Sequence, residues 1–344
     1  MITIKHTRTI ILGICMIVAA GLLGAQEQRV TYIEGEPELR RGSRSLALDF
    51  GEELNSGDTI YTGLDDLVEL EQGTGNTISV LPDSVFSVQD VATGDQVQRR
   101  LTAARGGATF RFSRPGGSRF IGTATTAAGV RGTEFTVFAS SDCAAFYVVH
   151  KGQIEVESQG QSVQVAANQA VEVAPGEPPG EVISWLGKTL DYSEFSSWNQ
   201  KRIDTFLENP QATITGITEE LVSLANDMEK TYMEYQASQS QLSAAREEMK
   251  RLQQEAEESD FQEYRQTVVF PLMTNTGNLF LNYRYFALSA LSLRRNVGGS
   301  LYVQAKARLL LEPDSLWKEY MEDHALLVSQ FEQRIVPMLN EGDI

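Results

Sequence analysis

The sequence is poor in cysteine and histidine, and this scarcity narrows the chemistry that the protein can perform. Among 344 residues there are two cysteines, Cys15 and Cys143, and three histidines. His150 and His324 are far apart in the sequence, and it contains no zinc-peptidase motif, phosphate-binding loop or nucleophile elbow. We therefore predict a protein that is not an enzyme, with no catalytic, cofactor-binding or metal-ligating residues and no cofactor.

Hydrophobic runs long enough for membrane insertion are also scarce. One stretch, residues 10–23, follows the basic residues Lys5 and Arg8 and precedes small residues at 24–25. This order is typical of a secretory signal, so residues 1–25 predict export to the periplasm or cell envelope. An uncleaved membrane anchor is the alternative, because Leu23 is larger than the residue preferred before a cleavage site. After cleavage Cys143 would be the sole cysteine, which excludes an internal disulfide.

Positive charge is outnumbered by negative charge. The chain has 29 lysines and arginines against 46 aspartates and glutamates, and its formal net charge is −17. A balance of this sign repels phosphate backbones and anionic lipid surfaces. We therefore expect no nucleic-acid partner, and a membrane contact only if the N-terminal segment stays uncleaved.

The region from about 26 to 174 has the pattern of an all-β domain. Short runs rich in β-branched residues, such as 67–70, 77–80, 146–149 and 154–156, alternate with glycine-containing turn signals. Gly106-Gly107 is one of these predicted turns. The spacing favours a sandwich or a solenoid-like roll, and no exact repeat supports a regular β-helix.

A segment rich in proline and glycine separates this domain from a helical one. Three prolines and two glycines fall within residues 174–180, which neither a helix nor a central strand can tolerate. We predict a linker at 175–193 and an all-α domain at 194–344, with its first helix beginning near Ser193.

Proline and glycine are absent from 218 to 263, which predicts one long helix over about 217–265. A heptad seam that includes Leu221, Met228 and Leu242 favours coiled-coil packing, but Thr231 and Ser238 interrupt the companion seam. We expect this helix to pack on helices at 278–295, 300–311 and 314–338. A homo-oligomer through the long helix is a further partner that the seam allows.

The segment 279–288 is apolar on nearly every side and contains a single charge, Arg284. It is too short to cross a bilayer and carries a cation. We interpret it as a core helix, with a partner-binding or membrane-surface helix as the alternative.

Acidic residues and arginine–glycine pairs are the remaining candidates for ligand binding. Asp58, Asp65 and Asp66 fall where hairpin turns are expected, and aspartate is favoured there because its carboxylate binds the local backbone. We therefore prefer a turn role to cation binding. Arg105-Gly106-Gly107 lacks the following helix that a phosphate cradle requires.

Several segments occur in the order found in one known family. Gly57-Asp58 lies in the segment 54–63, Arg131-Gly132-Thr133-Glu134-Phe135 lies in 125–137, and 150–156 follows. Residues 30–173 thereby resemble the FecR domain, the periplasmic module named after an iron-citrate signalling regulator. The resemblance implies a β-rich extracytoplasmic binding or signalling module and not an enzyme. For Arg131 and Glu134 we predict a structural ion pair across the bend before the strand.

The sequence departs from the signalling regulator of that family. Nine residues precede Ile10, which is too few for a cytoplasmic anti-sigma region, and the chain after Pro179 lacks β-α alternation. We therefore do not expect control of a sigma factor. The first hypothesis is a non-catalytic binding or scaffold protein whose partner is an envelope protein or surface polymer. The alternative is a sensor component that relays an envelope signal to a separate membrane regulator.

Overall fold

The computed structural model describes residues 28–341, apart from 74, 95, 114–118, 131 and 187–191. The segment predicted to be a signal lies outside the described residues. Strands occupy the chain up to Ser184, and helices occupy it from Tyr192 onward. The fold is therefore a β-rich N-terminal region followed by a helical C-terminal region, as the sequence predicts.

Short strands, joined mostly by tight turns, make up the N-terminal region. Their bounds are β1 Gln28–Glu34, β2 Glu38–Arg41, β3 Arg44–Ala47, β4 Glu53–Leu54, β5 Thr59–Tyr61, β6 Leu67–Gln72, β7 Asn76–Val80, β8 Val85–Thr93, β9 Gln96–Phe112, β10 Arg119–Gly122, β11 Ala127–Val130, β12 Glu134–Ala139, β13 Ala145–Lys151, β14 Gln153–Ser158, β15 Gln161–Ala166, β16 Gln169–Val173 and β17 Ile183–Ser184.

The strands form two sheets that share β9. The first sheet has the order β4-β1-β6-β7-β9-β12-β13-β16-β17. The second has the order β3-β2-β5-β8-β9-β10-β11-β14-β15, and its β9–β10 pair is parallel whereas its other pairs are antiparallel. Inward-facing residues of both sheets belong to one hydrophobic core. Two sheets around one core make a sandwich, and the chain alternates between the sheets as a roll does, so the structure has features of both predicted architectures.

One predicted turn is wrong. Gly106-Gly107 lies inside β9 and does not separate two strands. The residues before this pair bond to β8 and β10 of the second sheet, and the residues from Gly106 onward bond to β12 of the first. Gly106 has φ +76°, a left-handed conformation that bends the strand so that it can pass between the sheets.

The C-terminal region consists of helices, three of which are extended by π-helical segments. Their bounds are α1 Tyr192–Glu208, α2 Pro210–Glu255, α3 Glu258–Tyr264, α4 Phe270–Ser292, α5 Gly299–Leu311, α6 Ser315–Gln330 and α7 Val336–Glu341, with π-helical segments at Arg265–Val269, Leu293–Gly298 and Phe331–Ile335.

The long helix α2 is displaced relative to the prediction of about 217–265. It begins at Pro210, where the Asn209 side chain accepts a hydrogen bond from the Ala212 amide, and it ends at Glu255. The extended conformation of Ala256 terminates it although no proline or glycine is present. The start was missed because the prediction was limited to the stretch without proline and glycine, whereas Pro210 fits the first helical turn and Gly216 lies inside the helix.

The predicted heptad seam is buried within the same chain. Leu221 and Met228 lie in the core of the helical region, against α4 and α6. The polar interruption is also satisfied there, because the hydroxyls of Ser238 and Thr276 are 2.8 Å apart and Asn275 donates to Ser238 at 3.1 Å. The expectation that α2 packs on the helices predicted at 278–295 and 314–338 is therefore confirmed. A homo-oligomer through α2 stays a prediction.

The apolar segment 279–288 lies within α4, and Tyr283 and Ala287 on it are fully buried. This placement confirms the core helix that we predicted there. None of the helices described is long and apolar enough to span a membrane.

The two regions pack closely on each other. Helix α1 covers the outer face of the first sheet, where Phe195 stacks on Phe138 with ring centroids 5.1 Å apart. Arg202 on the same helix bonds to Asp142 in the turn between β12 and β13. Within the predicted linker, Pro175 and Gly176 rest against Gly216 of α2, where a side chain would collide with the linker backbone. The helical region is thus anchored to the sandwich at several points.

Candidate functional site

A cleft of about 670 Å³ lies between the second sheet and the helical region. Its β side is formed by side chains of β2, β5 and β8, including Arg40, Tyr61 and Gln89, and its helical side by α4 and the π-helical segment that follows. Ligand cavities commonly have volumes in this range and occur at domain interfaces. We refer to it below as the interdomain cleft.

Helix α4 is fixed beside β8 by amide side chains. Asn282 accepts a hydrogen bond from the Ala92 amide at 2.7 Å and donates to the Ala92 carbonyl at 3.0 Å. One turn earlier, Asn278 donates to the Gly94 carbonyl at 3.3 Å. Asn282 thus bonds both the amide and the carbonyl of Ala92, as a neighbouring strand would. These two hydrogen bonds fix the position of α4 relative to β8.

The charges of the interdomain cleft are all positive. Arg40, Arg284 and Arg295 line it, and no carboxylate is present among the described residues that do so. Arg40 is paired with Glu38 at 2.9 Å, and its guanidinium lies 4.3 Å from the centroid of the Tyr61 ring. Arg284 is half-buried and forms no salt bridge with the described part of the chain. A cationic cleft is unexpected in a chain whose net charge is −17.

The wall opposite Arg284 contains an unsatisfied acceptor. Gln89 on β8 is 6% exposed, and its Oε1 atom has no hydrogen-bond partner among the described residues. Buried polar atoms are bonded in the large majority of cases, so Gln89 Oε1 is an exception, but the atom has almost no accessible surface and does not face the space of the cleft. Phe280, Leu288 and Leu291 supply an apolar surface on the helical side.

Of the sequence-predicted motif residues, Gly57 lies at this cleft and Asp58 lies beside it. The guanidinium of Arg284 occupies the space that a side chain at Gly57 would need. Asp58 is buried. Its carboxylate accepts a hydrogen bond from the Asn55 backbone amide at 2.8 Å and forms a salt bridge with Arg41 at 2.7 Å. Hydrogen bonding to Asp58 raises the pKa of Arg41 above its ordinary value, against the opposing effect of burial. Asp58 therefore stabilises the turn that presents Gly57.

The second predicted motif lies elsewhere. Gly132 has φ +66°, Thr133 is buried, and the Phe135 ring stacks on Phe110 at 5.0 Å. Glu134 accepts from Nε of Arg111 at 2.9 Å. Arg131 is outside the described residues, so its pairing with Glu134 stays a prediction. None of the four described motif residues lines the interdomain cleft.

The acidic candidates form turns. Asp66 accepts from the Gly63 amide at 2.6 Å, which is the local backbone bonding expected of a turn aspartate. It also accepts from the Glu36 amide at 2.9 Å, which ties this turn to the segment after β1. Across the residues that the structure describes, no group of three or more histidine, cysteine or carboxylate side chains could hold a metal ion.

Cys143 and His150 both have structural contacts within the protein. Cys143 is a free, buried cysteine in the β12–β13 turn and packs into the core of the helical region. Burial, with Asp142 as a second cause, raises the pKa of its thiol well above the ordinary value, so the thiol stays protonated. The Nε2 atom of His150 is 3.0 Å from the Thr136 hydroxyl.

A second cavity, of about 430 Å³, lies in the helical region beside His324. His324 is 6% exposed, and its ring centroid is 4.6 Å from that of Tyr302. Burial is the main cause that lowers the pKa of His324, the positive charge of Arg294 adds to it, and a hydrogen bond with the Gly298 backbone opposes it. His324 is therefore neutral at pH 7 in the folded protein.

The stability of the protein should fall as the pH is lowered below about 6.5, the ordinary pKa of histidine in an unfolded chain. The unfolded state takes up the proton first, so stability is present above that value and is lost as the pH approaches the lowered pKa of folded His324. Thermal unfolding at pH 7.5, 6.5 and 5.5 should show a smaller decrease in Tm for His324→Asn than for the wild type. Equal decreases would contradict this assignment.

The sequence reasoning missed the cleft residues Arg284, Arg295 and Gln89. Arg284 did carry a signal, because it is the single charge in the apolar run 279–288. A single cation in an apolar run argues against membrane insertion, but it equally indicates a charged group at a ligand-binding cleft. Gln89 had no signal, since a glutamine within a β-strand is ordinary.

The fold is a β-sandwich fixed to a helical domain, with a cleft between the two. Residues 58–166 match the family model described as FecR protein, so the chain carries a FecR domain. The match covers less than half of the chain and includes most of the sandwich. It does not extend to the helical region.

Two crystal structures of a "putative anti-sigma factor" from Parabacteroides distasonis ATCC 8503 are similar to part of the chain. The first is 20% identical with a TM-score of 0.32, and the second is 19% identical with a TM-score of 0.31. Each similarity covers 41% of this chain and 63% of the other, so the chain spans under two thirds of that protein. Among curated proteins, no sequence matches the chain.

Proposed function

We propose that this chain is a non-catalytic protein of the bacterial cell envelope, in which the FecR domain binds a ligand or partner and the helical domain serves assembly. The observation that carries the proposal is the interdomain cleft, which the FecR domain and α4 form together. Proteins with a FecR domain are generally regulatory, envelope-associated and non-catalytic, and this family match supports the proposal. The partner would be an envelope protein or a surface polymer.

Close packing between the regions supports this proposal. The salt bridges of Arg202 with Asp142 and Glu172 and the double hydrogen bond of Asn282 join helices to strands. A ligand that contacts both walls of the cleft therefore contacts both domains at once. Binding would alter the energy of the interface and could be communicated to an assembly partner on the helical side.

A sensor role is the second candidate, and the FecR match is the observation that favours it. In this alternative the occupied cleft changes how the helical domain contacts a separate membrane regulator. The two candidates share the site and differ in the partner that the helical domain recognises.

Site-specific photo-crosslinking in the producing cell tests the proposal. A benzophenone amino acid is placed at Phe50 on the β domain or at Leu310 on the helical domain, which are 76% and 78% exposed. Met233 on α2, at 64%, is the reference position. We expect crosslinks to envelope components from Phe50 or Leu310 that exceed those from Met233.

The identity of the captured species separates the candidates. Cell-wall material or a structural envelope protein supports the scaffold role, whereas a transport receptor or transmembrane regulator supports the sensor role. Crosslinks confined to cytoplasmic proteins would contradict both.

A further inference from the structure

The interdomain cleft is elongated, because α4 runs along β8. Asn278 bonds to the turn after β8, and Asn282, one helical turn later, bonds to the last part of the strand. Arg284 then lies against Gly57, whose amide donates to the carbonyl of Val88 in the middle of β8 at 2.7 Å. The helix and the strand are therefore antiparallel, and the cleft between them is a groove that follows both.

The cations of the helical wall lie at two separate places along this groove. Arg284 and Arg295 are eleven residues apart, which is about 16 Å along a helix axis at 1.5 Å per residue. Neither forms a salt bridge with a residue that the structure describes, and Arg284 is half-buried. Partly removing a guanidinium from water without a counter-charge is unfavourable. Each of the two positions therefore favours its own anionic group.

The surface between the two cations is not charged. Leu288 and Leu291 form it on the helical wall, and the hydroxyls of Thr59 and Ser87 line the facing sheet. A hydroxyl can both donate and accept a hydrogen bond, as peptide groups also do. The groove thus offers apolar and hydrogen-bonding contacts in its middle and a positive charge towards each end.

An extended peptide has the dimensions and the chemistry that this arrangement requires. Its backbone rises about 3.3 Å per residue, so five residues cover the distance of about 16 Å between the arginines. Its side chains can be acidic at two positions and apolar between them. Carboxylates would form charge-assisted hydrogen bonds with the guanidinium groups, which arginine makes in bidentate geometry.

A uniform polyanion fits the same groove less well. Nucleic acids and polyphosphates have a charge on every repeating unit and would place some of these charges against Leu288 and Leu291. The net charge of −17 also repels a long polyanion more strongly than a segment with two carboxylates. The pattern of charge along the groove therefore favours a peptide.

We propose that the interdomain cleft binds an extended acidic segment of a partner protein. Two carboxylate side chains of the segment, about five positions apart, pair with Arg284 and Arg295, and apolar side chains between them pack on Leu288 and Leu291. The inference rests on the binding role proposed above and specifies the part of the partner that occupies the site.

Selection from a random library of ten-residue peptides, displayed on phage and presented to the full chain, tests the proposal. We expect the enriched peptides to carry two acidic residues four to six positions apart, with apolar residues between them. Selection on Arg284→Gln should remove the preference for one of the two acidic positions, and selection on Arg295→Gln should remove the preference for the other. Arg246→Gln, which removes the same charge from an exposed position on α2 outside the cleft, should enrich the same peptides as the wild type.

Fluorescence anisotropy of a labelled enriched peptide measures the affinity. Arg284→Gln and Arg295→Gln should each weaken binding about tenfold or more, since a hydrogen bond between charged groups is lost. Arg246→Gln should bind like the wild type. If Arg284→Gln does not fold, Arg295→Gln decides the test alone, because Arg295 is exposed. A ten-nucleotide thymidylate oligomer and a polyphosphate of similar length should compete poorly.

Four results would overturn the inference. These are no enrichment of any peptide, enriched peptides without paired acidic residues, equal binding by the Arg295→Gln and Arg246→Gln variants, or competition by either polyanion that equals that of the peptide. If no peptide binds but Phe50 or Leu310 still crosslinks to an envelope component, the peptide inference fails and the proposed envelope function stands. Peptide binding without envelope crosslinks would have the reverse meaning.

Discussion

Replacing Arg202 with methionine is expected to lower the free energy of unfolding by about 3–5 kcal/mol, the usual cost of removing one partner from a buried ion pair. Nε and Nη2 of Arg202 donate to Oδ2 of Asp142 at 3.0 and 2.6 Å, and Nη1 donates to Glu172 at 3.0 Å. The Asp142 side chain is fully buried, and the Arg202 side chain is 14% exposed. Truncation would leave the Asp142 carboxylate charged and without its cation in the interface.

The effect should extend to both regions, because Asp142 organises the turn in which Cys143 enters the helical core. Its Oδ1 atom accepts from the Ser140 hydroxyl and from the Ala144 amide. The Glu172 carboxylate also accepts a hydrogen bond from Nε1 of Trp198 at 3.0 Å. Loss of the guanidinium therefore weakens the contact of α1 with the first sheet as well as the ion pair itself.

Urea denaturation followed by tryptophan fluorescence and by circular dichroism measures the change. Arg251→Met is the control, since Arg251 pairs with Glu248 on the solvent-exposed side of α2, and it should leave the denaturation midpoint unchanged. The double variant Arg202→Met/Asp142→Asn should recover part of the loss, because the orphaned charge is gone. If Arg202→Met and Arg251→Met unfold at the same midpoint, the interface pair contributes nothing.

Local patterns were sufficient to predict the strands, the helices and the two-region order, because both depend on short-range periodicity. The burial alternation of β14 and the buried Leu221 and Met228 of α2 follow directly from such periodicity. The turn assigned to Asp66 followed equally well from local backbone bonding, since its carboxylate accepts from the Gly63 amide.

Features that depend on contacts distant in sequence could not be predicted in this way. Asn282 bonds to Ala92 across 190 positions, and Arg284 approaches Gly57 across a comparable separation. Neither pair has a local signature, and the interdomain cleft exists only because both contacts form. The same limit explains β9, where Gly106 signals a bend but not whether the strand ends there or changes sheets.

Replacing Gly106 with alanine is expected to destabilise the sandwich by about 2–5 kcal/mol, through two effects that add. At φ +76° an alanine costs about 1–2 kcal/mol because its Cβ approaches the following carbonyl oxygen. The new Cβ would also lie 2.5 Å from the Asp83 carbonyl oxygen and 2.6 Å from Cα of Ser84, and such overpacking costs about 1–3 kcal/mol. Both atoms belong to the backbone, so no side-chain rotation relieves the collision.

Gly160 separates the two effects. Its φ of +68° is close to that of Gly106, but no atom lies within 4 Å of the position that a Cβ would take. Gly160→Ala should therefore cost only the conformational part, about 1–2 kcal/mol. Thermal and urea unfolding of both variants should show a clearly larger loss for Gly106→Ala, and equal losses would mean that the close approach of β9 to the Asp83–Ser84 turn is not required.

A second substitution tests whether the backbone causes the collision. The Ser84 hydroxyl accepts from the Gly107 amide at 2.9 Å and also lies against the Gly106 position. If that hydroxyl were the main obstacle, Ser84→Ala would rescue Gly106→Ala. We expect no rescue, because the Asp83 carbonyl remains in place and the Gly107 amide loses its acceptor. The bend that carries β9 from one sheet to the other is thus held by backbone packing that only glycine permits at this position.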